Sequence, residues 1–165
     1  MDKIVFITGA SSGIGAGCAR KFASQGASLI LNARNVNKLS ALKEELEKQY
    51  GAKIYLLPFD VRDRKAATSA LESLPKEWQS IDILVNNAGL VIGTDKEQEG
   101  SLDEWDIVID TNIKALLAMT RLIVPGMVER KRGHIINIGS IAGDAAYPGG
   151  SVYCATKAAV KALLD

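Results

Sequence analysis

Tyr153 and Lys157 stand four residues apart in the last segment of the chain. On a helix that spacing puts both side chains on one face. A phenol titrates at about 10 and is a poor acid–base group near neutrality. An ammonium close by favours the phenolate and lowers that value. Bringing it down by about three units takes roughly 4 kcal/mol of differential stabilisation, which a close, partly buried charge can largely supply. Taken alone, Tyr-x-x-x-Lys is an ordinary helix-surface pair, so its meaning depends on the residues that accompany it.

A second candidate lies at the other end of the chain, in Thr8-Gly9-Ala10-Ser11-Ser12-Gly13-Ile14-Gly15. Glycines let a bulky pyrophosphate approach the backbone, and a helix beginning there offers unpaired N–H groups and a positive dipole end. The spacing is G-x3-G-x-G. The same pattern also suits a tight strand-to-helix turn with no ligand; its place after a first strand favours phosphate binding. Further on, Arg34 follows Leu31-Asn32-Ala33, and no Asp or Glu occurs between Gly15 and Glu44. In dinucleotide folds an acid near this point binds the ribose hydroxyls, whereas Arg accommodates a 2′-phosphate, so NADP(H) is expected over NAD(H). A solvated loop arginine is the plainer alternative.

These residues need positioning elements, and the intervening sequence supplies them. Residues 3–8, 28–33, 53–59, 82–86 and 134–138 are short and rich in aliphatic or β-branched residues, as expected of parallel strands covered on both faces. Between them lie helical patterns. Ile14, Cys18 and Phe22 follow one another at i, i+4 and i+8; Leu39, Leu42, Leu46 and Tyr50 form a stripe, with Glu44 and Lys48 paired outside and Gly51 as C-cap. Asp63 caps a helix that ends before Pro75, and Ser101 with Glu104 opens a long helix towards Arg132. Strand–helix alternation of this kind predicts a single α/β domain over residues 1–165, doubly wound around a parallel sheet.

Composition excludes several classes of function. Lys plus Arg number 20 against 19 acidic residues, so no global field draws in nucleic acid or an anionic membrane. The longest apolar stretch, 113–128, is broken by Lys114, Arg121 and Pro125 and does not read as a membrane span. Residue 1 leads straight into a strand pattern without a signal-peptide n-region. Cys18 and Cys154 match no metal or redox spacing and read as small packing residues; no metal site is expected. A cytoplasmic enzyme or binding protein acting on a small molecule fits this balance. His134 reads as structural or solvated, and Trp78 and Trp105 as helix anchors.

Taken together, Thr8-Gly9-x-x-x-Gly13-x-Gly15, Asn86-Asn87-Ala88-Gly89, Asn112, Ser140 and Tyr153-x-x-x-Lys157 match one pattern in order and spacing: the sequence resembles the short-chain dehydrogenase/reductase family along essentially its whole length. The resemblance implies a Rossmann-type sheet of order 3-2-1-4-5-6-7, of which this sequence supplies the first five strands and the start of the next helix. It therefore implies a chain that stops before the family's final strands, Pro-Gly segment and substrate-covering helices. It assigns Tyr153 as general acid in reduction and base in oxidation. Lys157 tunes the phenol and binds the nicotinamide ribose, Ser140 binds the substrate oxygen as charge develops, and Asn112 holds a water beside Lys157 in a proton relay. Gly9, Ser11, Ser12, Gly13, Ile14, Gly15 and Arg34 bind the cofactor phosphates. Asp60 and Val61 meet the adenine, and Asn86, Ala88 and Gly89 pass the adenosine ribose. The stretch 141–150 lines the substrate pocket. Within the family, residues 125–130 and 133–157 resemble the branch that oxidises serine and short 3-hydroxy acids.

The expected function is thus hydride transfer between NADP(H) and a small alcohol or carbonyl compound. Two readings compete with it. A module could bind the dinucleotide without catalysis, against which the intact set of Asn112, Ser140, Tyr153 and Lys157 speaks. A sugar-nucleotide epimerase shares Tyr-x-x-x-Lys, but such enzymes usually carry G-x-x-G-x-x-G at the phosphate turn. The long helix is apolar over much of its circumference, at Trp105, Val108, Ile109, Leu116, Leu117, Met119, Leu122 and Ile123, which predicts a homodimer or homotetramer.

Overall fold

The computed structural model describes residues 2–163. Five short strands, β1 (Ile4–Ile7), β2 (Ser28–Leu31), β3 (Ile54–Leu56), β4 (Ile83–Asn86) and β5 (His134–Asn137), form one parallel sheet of order β3-β2-β1-β4-β5. The expected order is the observed one. Each strand is shorter than its apolar run because the runs continue into the loops that carry the site.

Alternation along the strands divides the core into two layers. Val5, Ile7, Leu29, Leu31 and Val85 face α1 (Gly13–Ser24) and α2 (Val36–Tyr50), where Ala16, Ala19, Leu39, Leu42 and Leu46 are buried against them. Phe6, Ile30 and Leu84 face the opposite way, onto α3 (Arg64–Glu72) and α5 (Leu116–Glu129), meeting Ala67, Met119, Ile123 and Met127. Strands covered on both faces explain why their sequences lack a polar alternation. Tyr55 and Trp78 close this layer at one end, with ring centroids 5.6 Å apart.

Helix ends follow local chemistry. Asn35 accepts a hydrogen bond from Lys38 N at 2.9 Å to start α2, which stops at Gly51 with φ +61°. Asp63 caps α3 by accepting from Ala66 N at 3.0 Å, and Ser101 accepts from Glu104 N at 3.4 Å to start α4 (Leu102–Ile109). Two expectations for the helices change. The outer ion pair of α2 is Lys43–Glu47, at 3.7 Å, rather than Glu44–Lys48. Ile14 does not join the buried stripe of α1 but is exposed, while Cys18 and Phe22 pack inward.

The long helix expected from Ser101 is also not one helix. A π-helical turn, Asp110–Ala115, separates α4 from α5. Such a turn inserts a residue and rotates all that follows, and segments of this kind often occur at functional sites. Apolar spacing could not reveal it, because a segment that is apolar on most sides has no clear phase to lose. Beyond β5, a 3-10 turn (Ile141–Gly143) leads to α6 (Ser151–Ala162), the helix that carries Tyr153 and Lys157.

Candidate active site

All five strands end on the same side, and there the loops enclose a cleft of about 1000 Å³. It runs from the glycine turn and the β2 and β3 tips at one end to Ser140, Tyr153 and Lys157 at the other. In open α/β sheets this crevice, at the carboxyl ends of the strands, is where ligands bind.

At the first end the backbone itself forms the wall. Gly9 has φ +61°, and a Cβ on Gly15 would lie 2.3 Å from Gly9 O and 2.4 Å from Asn87 Nδ2. No side chain fits at Gly15 without moving the turn. Ser12 precedes α1 in extended conformation and makes no side-chain cap. The first-turn N–H groups of α1 therefore remain available, and Ser11, Ser12, Gly13 and Ile14 line the cleft beside them.

Thr8 and Asn87 hold this turn to the end of β4. Thr8 Oγ1 accepts from Asn87 N and Ala88 N, at 3.0 and 2.9 Å, while Asn87 Nδ2 donates to Thr8 O and Gly9 O, both at 3.0 Å. Of the segment assigned to the adenosine ribose, not every residue reaches the cleft. Asn86 is buried with its Nδ2 on Thr120 Oγ1 and Asn137 Oδ1, and it lies outside the cleft wall, whereas Asn87, Ala88 and Gly89 form it. Successive residues at the end of a strand face opposite ways, and the motif alone does not say which asparagine faces the ligand.

The β2 and β3 tips add charge. Asp60 and Val61 line the cleft, but both carboxylate oxygens of Asp60 are taken by Arg62, with Arg62 Nη2 at 2.7 Å and Nε at 3.1–3.2 Å. That guanidinium holds the Asp60 carboxyl below its ordinary value, against the opposing effect of burial. Arg34 Nη1 is 4.0 Å from the same carboxylate, and its side chain is 68% exposed. Lys38, to which the sequence assigned no role, lines the cleft from the first turn of α2. Three cations thus share this end of the cleft with one already paired carboxylate, a surplus suited to a phosphate. Asn32 adds no charge there; it is buried and donates to Leu57 O and Phe59 O at 3.1 Å, joining β2 to the loop after β3.

At the other end, Ser140 caps the 3-10 turn by accepting from Ala142 N at 3.1 Å, which leaves its own O–H free to donate. Lys157 is buried, donates to Ile138 O at 3.1 Å and lies 5.9 Å from the centre of the Tyr153 ring. Burial pushes the Lys157 ammonium below the ordinary lysine value. Gly143 allows the turn to rest against α6, since a Cβ there would lie 2.7 Å from Lys157 O. A Cβ on Gly89 would lie 3.3 Å from Asn112 Oδ1 and 3.5 Å from Lys157 Nζ.

Asn112 is expected to hold a water beside Lys157; it lies in the π-helical turn with its side chain buried. Its Oδ1 accepts from Leu90 N at 2.9 Å, and its Nδ2 donates to Leu90 O at 2.9 Å and to Thr156 Oγ1 at 3.1 Å. Among the described residues no cluster of three or more His, Cys, Asp or Glu could hold a metal ion. No helix among them is long and apolar enough to cross a membrane. His134 is exposed at the far end of β5, and Cys154 is buried.

This combination of fold and cleft is that of a short chain dehydrogenase: residues 3–165 match that family, and the chain belongs to it. The NADP-dependent 3-hydroxy acid dehydrogenase of Escherichia coli (strain K12) is 50% identical over 158 residues, 96% of this chain and 62% of that protein. Its Schizosaccharomyces pombe counterpart is 45% identical over 159 residues, 96% of this chain and 61% of that protein. The chain thus spans slightly more than three fifths of the length of these relatives. Among solved structures, serine dehydrogenase from Escherichia coli superposes with a TM-score of 0.91 at 49% identity, over 97% of this chain and 72% of that one. The closed form of serine dehydrogenase complexed with NADP+ gives a TM-score of 0.90 at 48% identity, over 97% of this chain and 63% of that one.

Proposed function

We propose that the protein is an NADP(H)-dependent oxidoreductase acting on the CH–OH group of a small alcohol, or on the corresponding carbonyl. Serine and short 3-hydroxy acids are its substrate class. The observation that carries this reading is the single cleft that joins a glycine turn and a cluster of cations to Tyr153 and Lys157. Relatives near half identity are named as NADP-dependent 3-hydroxy acid dehydrogenases, and a solved relative is serine dehydrogenase with NADP+.

The cleft fits the dinucleotide. Gly9, Ser11, Ser12, Gly13, Ile14 and Gly15 would hold the pyrophosphate, and Arg34 and Lys38 the 2′-phosphate. Asp60 and Val61 would border the adenine, with Asn87, Ala88 and Gly89 along the adenosine ribose. When bound, the cofactor supplies or accepts the hydride. The protein's residues handle the proton. Tyr153 Oη donates it to the substrate oxygen in reduction and removes it in oxidation. Lys157, with its ammonium 5.9 Å from the ring centre, favours the phenolate and would hold the nicotinamide ribose. Ser140 Oγ–H donates to the substrate oxygen as negative charge grows there. Asn112 would hold a water beside Lys157 in the proton relay, and its side chain fixes the loop at Leu90 and the helix at Thr156.

We also assign a homodimer or homotetramer and a cytoplasmic location. Leu117, Leu122 and Val128 stand exposed on α5, apolar surface that a second copy would cover. The deciding experiment is an NADPH absorbance assay on the product of the complete reading frame, with serine, 3-hydroxy acids and their oxo forms. Turnover that needs Tyr153 is expected; none with any of these substrates, or full turnover in Tyr153→Phe, refutes the assignment.

A further inference from the structure

We infer that Thr156 is a positioning residue, a buried pin that sets the rotation of α6 and with it the placement of Tyr153 and Lys157; this rests on the reading proposed above. Its hydroxyl makes two hydrogen bonds: it donates to Tyr153 O at 2.7 Å and accepts from Asn112 Nδ2 at 3.1 Å. Both Thr156 and Asn112 are 1% exposed, so water cannot replace either partner. The bond to Tyr153 O is the back-bond that threonine makes within a helix, and it fixes the side-chain rotamer. With its proton committed there, the oxygen presents a lone pair to Asn112.

Asn112 carries the connection across the fold. Its remaining amide proton and its oxygen are bonded to Leu90 O and Leu90 N. A continuous chain therefore runs from the loop after β4, through the π-helical turn, to the backbone of Tyr153. Each of these elements contributes to the cleft wall, at Leu90, Thr111 and Tyr153. Thr156 precedes Lys157 and so lies about 100° from it around the helix, turned to the π-helical turn while Tyr153 and Lys157 face the cleft. Gly143 packs the 3-10 turn against Lys157 O. The helix is thus held from two directions, and Thr156 supplies its buried hydrogen bond to the π-helical turn, on a different side from the contacts of Lys157 with Ile138 O and of Lys161 with Asp144.

Thr156→Val keeps the shape, deletes both hydrogen bonds and leaves a buried amide proton of Asn112 without an acceptor, so kcat should fall about tenfold. The KM for NADPH should change less than kcat, and the pH at which turnover is half-maximal should move. Amide hydrogen exchange should quicken at residues 151–157 and around Leu90, and not in α1 or α2. Thr156→Ser should restore all of these, and Thr156→Ala should repeat the Val result if the larger apolar group impairs folding. Unchanged exchange in both Val and Ala variants, or quickened exchange with unchanged turnover and pH profile, overturns the inference. Failure of the parent reading is separable, because a protein without turnover, or one that tolerates Tyr153→Phe, would still report the Thr156 contact through exchange.

Discussion

Lys157 Nζ stands 5.9 Å from the centre of the Tyr153 ring and spends a hydrogen bond on Ile138 O, 3.1 Å away. The ammonium is thereby fixed to the end of β5 rather than left to follow the phenol. It can act on Tyr153 through its charge and still offer two further protons to a ligand.

This arrangement separates the two residues experimentally. Tyr153→Phe should reduce turnover at least a thousandfold while leaving NADPH affinity within about twofold, since only the proton-carrying oxygen is lost. Lys157→Ala should damage both, through the phenol and the ribose contact. Steady-state kinetics paired with fluorescence titration of NADPH distinguishes the two patterns.

Burial of Lys157 also makes a stability prediction with a definite sign. Its folded value lies below the ordinary lysine value of about 10.4, so the folded state binds fewer protons than the unfolded state between those two points. Stability from this group is therefore fully present above the unfolded value and lost as pH falls through the folded one. Lys157→Met in the ligand-free protein should melt higher than the parent at neutral pH, with the gap closing as pH approaches about 10. Melting curves across that range check it; a gap that widens with pH contradicts it.

The glycine turn offers a paired test. At Gly15 a Cβ would lie 2.3 Å from Gly9 O, so Gly15→Ala must displace the turn and should abolish cofactor binding and lower the melting temperature. Gly17 lies two residues on in α1 with nothing within 4 Å of a Cβ. Gly17→Ala should leave binding intact and stabilise the helix by about 0.5–1 kcal/mol. Thermal melts with and without NADPH measure both.

Fold and site were legible in the sequence to different depths. Strand runs such as Ile4–Ile7 and the caps at Asn35, Asp63 and Ser101 are local chemistry, and the strand order followed once the motifs were seen as a set. Residues whose roles depend on contacts between distant segments were not. Asn87 rather than Asn86 faces the cleft because of the strand's twist and end, and Lys38 reaches it because α2 starts at the β2 tip. Thr156 sits between Tyr153 and Lys157 in the sequence, but its partner is 44 residues away. The π-helical turn that brings Asn112 to it leaves no mark in an apolar pattern.

The proposed assembly rests on the exposed apolar residues of α5. Leu117 and Leu122 are 44% and 37% exposed, and Val128 is 68% exposed. If a second copy covers them, the product of the complete reading frame should scatter light as a dimer or tetramer at micromolar concentration. Leu117→Asp with Leu122→Asp should lower that mass, because charge introduced into an apolar contact must be desolvated. A monomeric parent would refute the assignment.

Cofactor choice depends on the cations at the β2 tip. The 2′-phosphate of NADPH carries close to two negative charges, and a planar guanidinium can bind it with two donors. Asp60 would repel such a group if free, but Arg62 occupies both of its oxygens, and Arg34 and Lys38 remain to face the ligand. A charge-assisted contact contributes about 1.5–3 kcal/mol, so NADPH should be preferred over NADH by at least about tenfold. Arg34→Ala should remove most of that margin by weakening NADPH and hardly touching NADH. Lys38→Ala should remove a smaller part, because a lysine binds phosphate as a point charge on a flexible stem. Arg34 is largely exposed, so the preference should shrink as salt rises. Asp60→Asn, which releases Arg62, should not abolish the preference. Fluorescence titrations of the parent and the three variants with both cofactors, at low and high salt, measure each step; equal affinities in the parent would reduce Arg34 to a surface arginine.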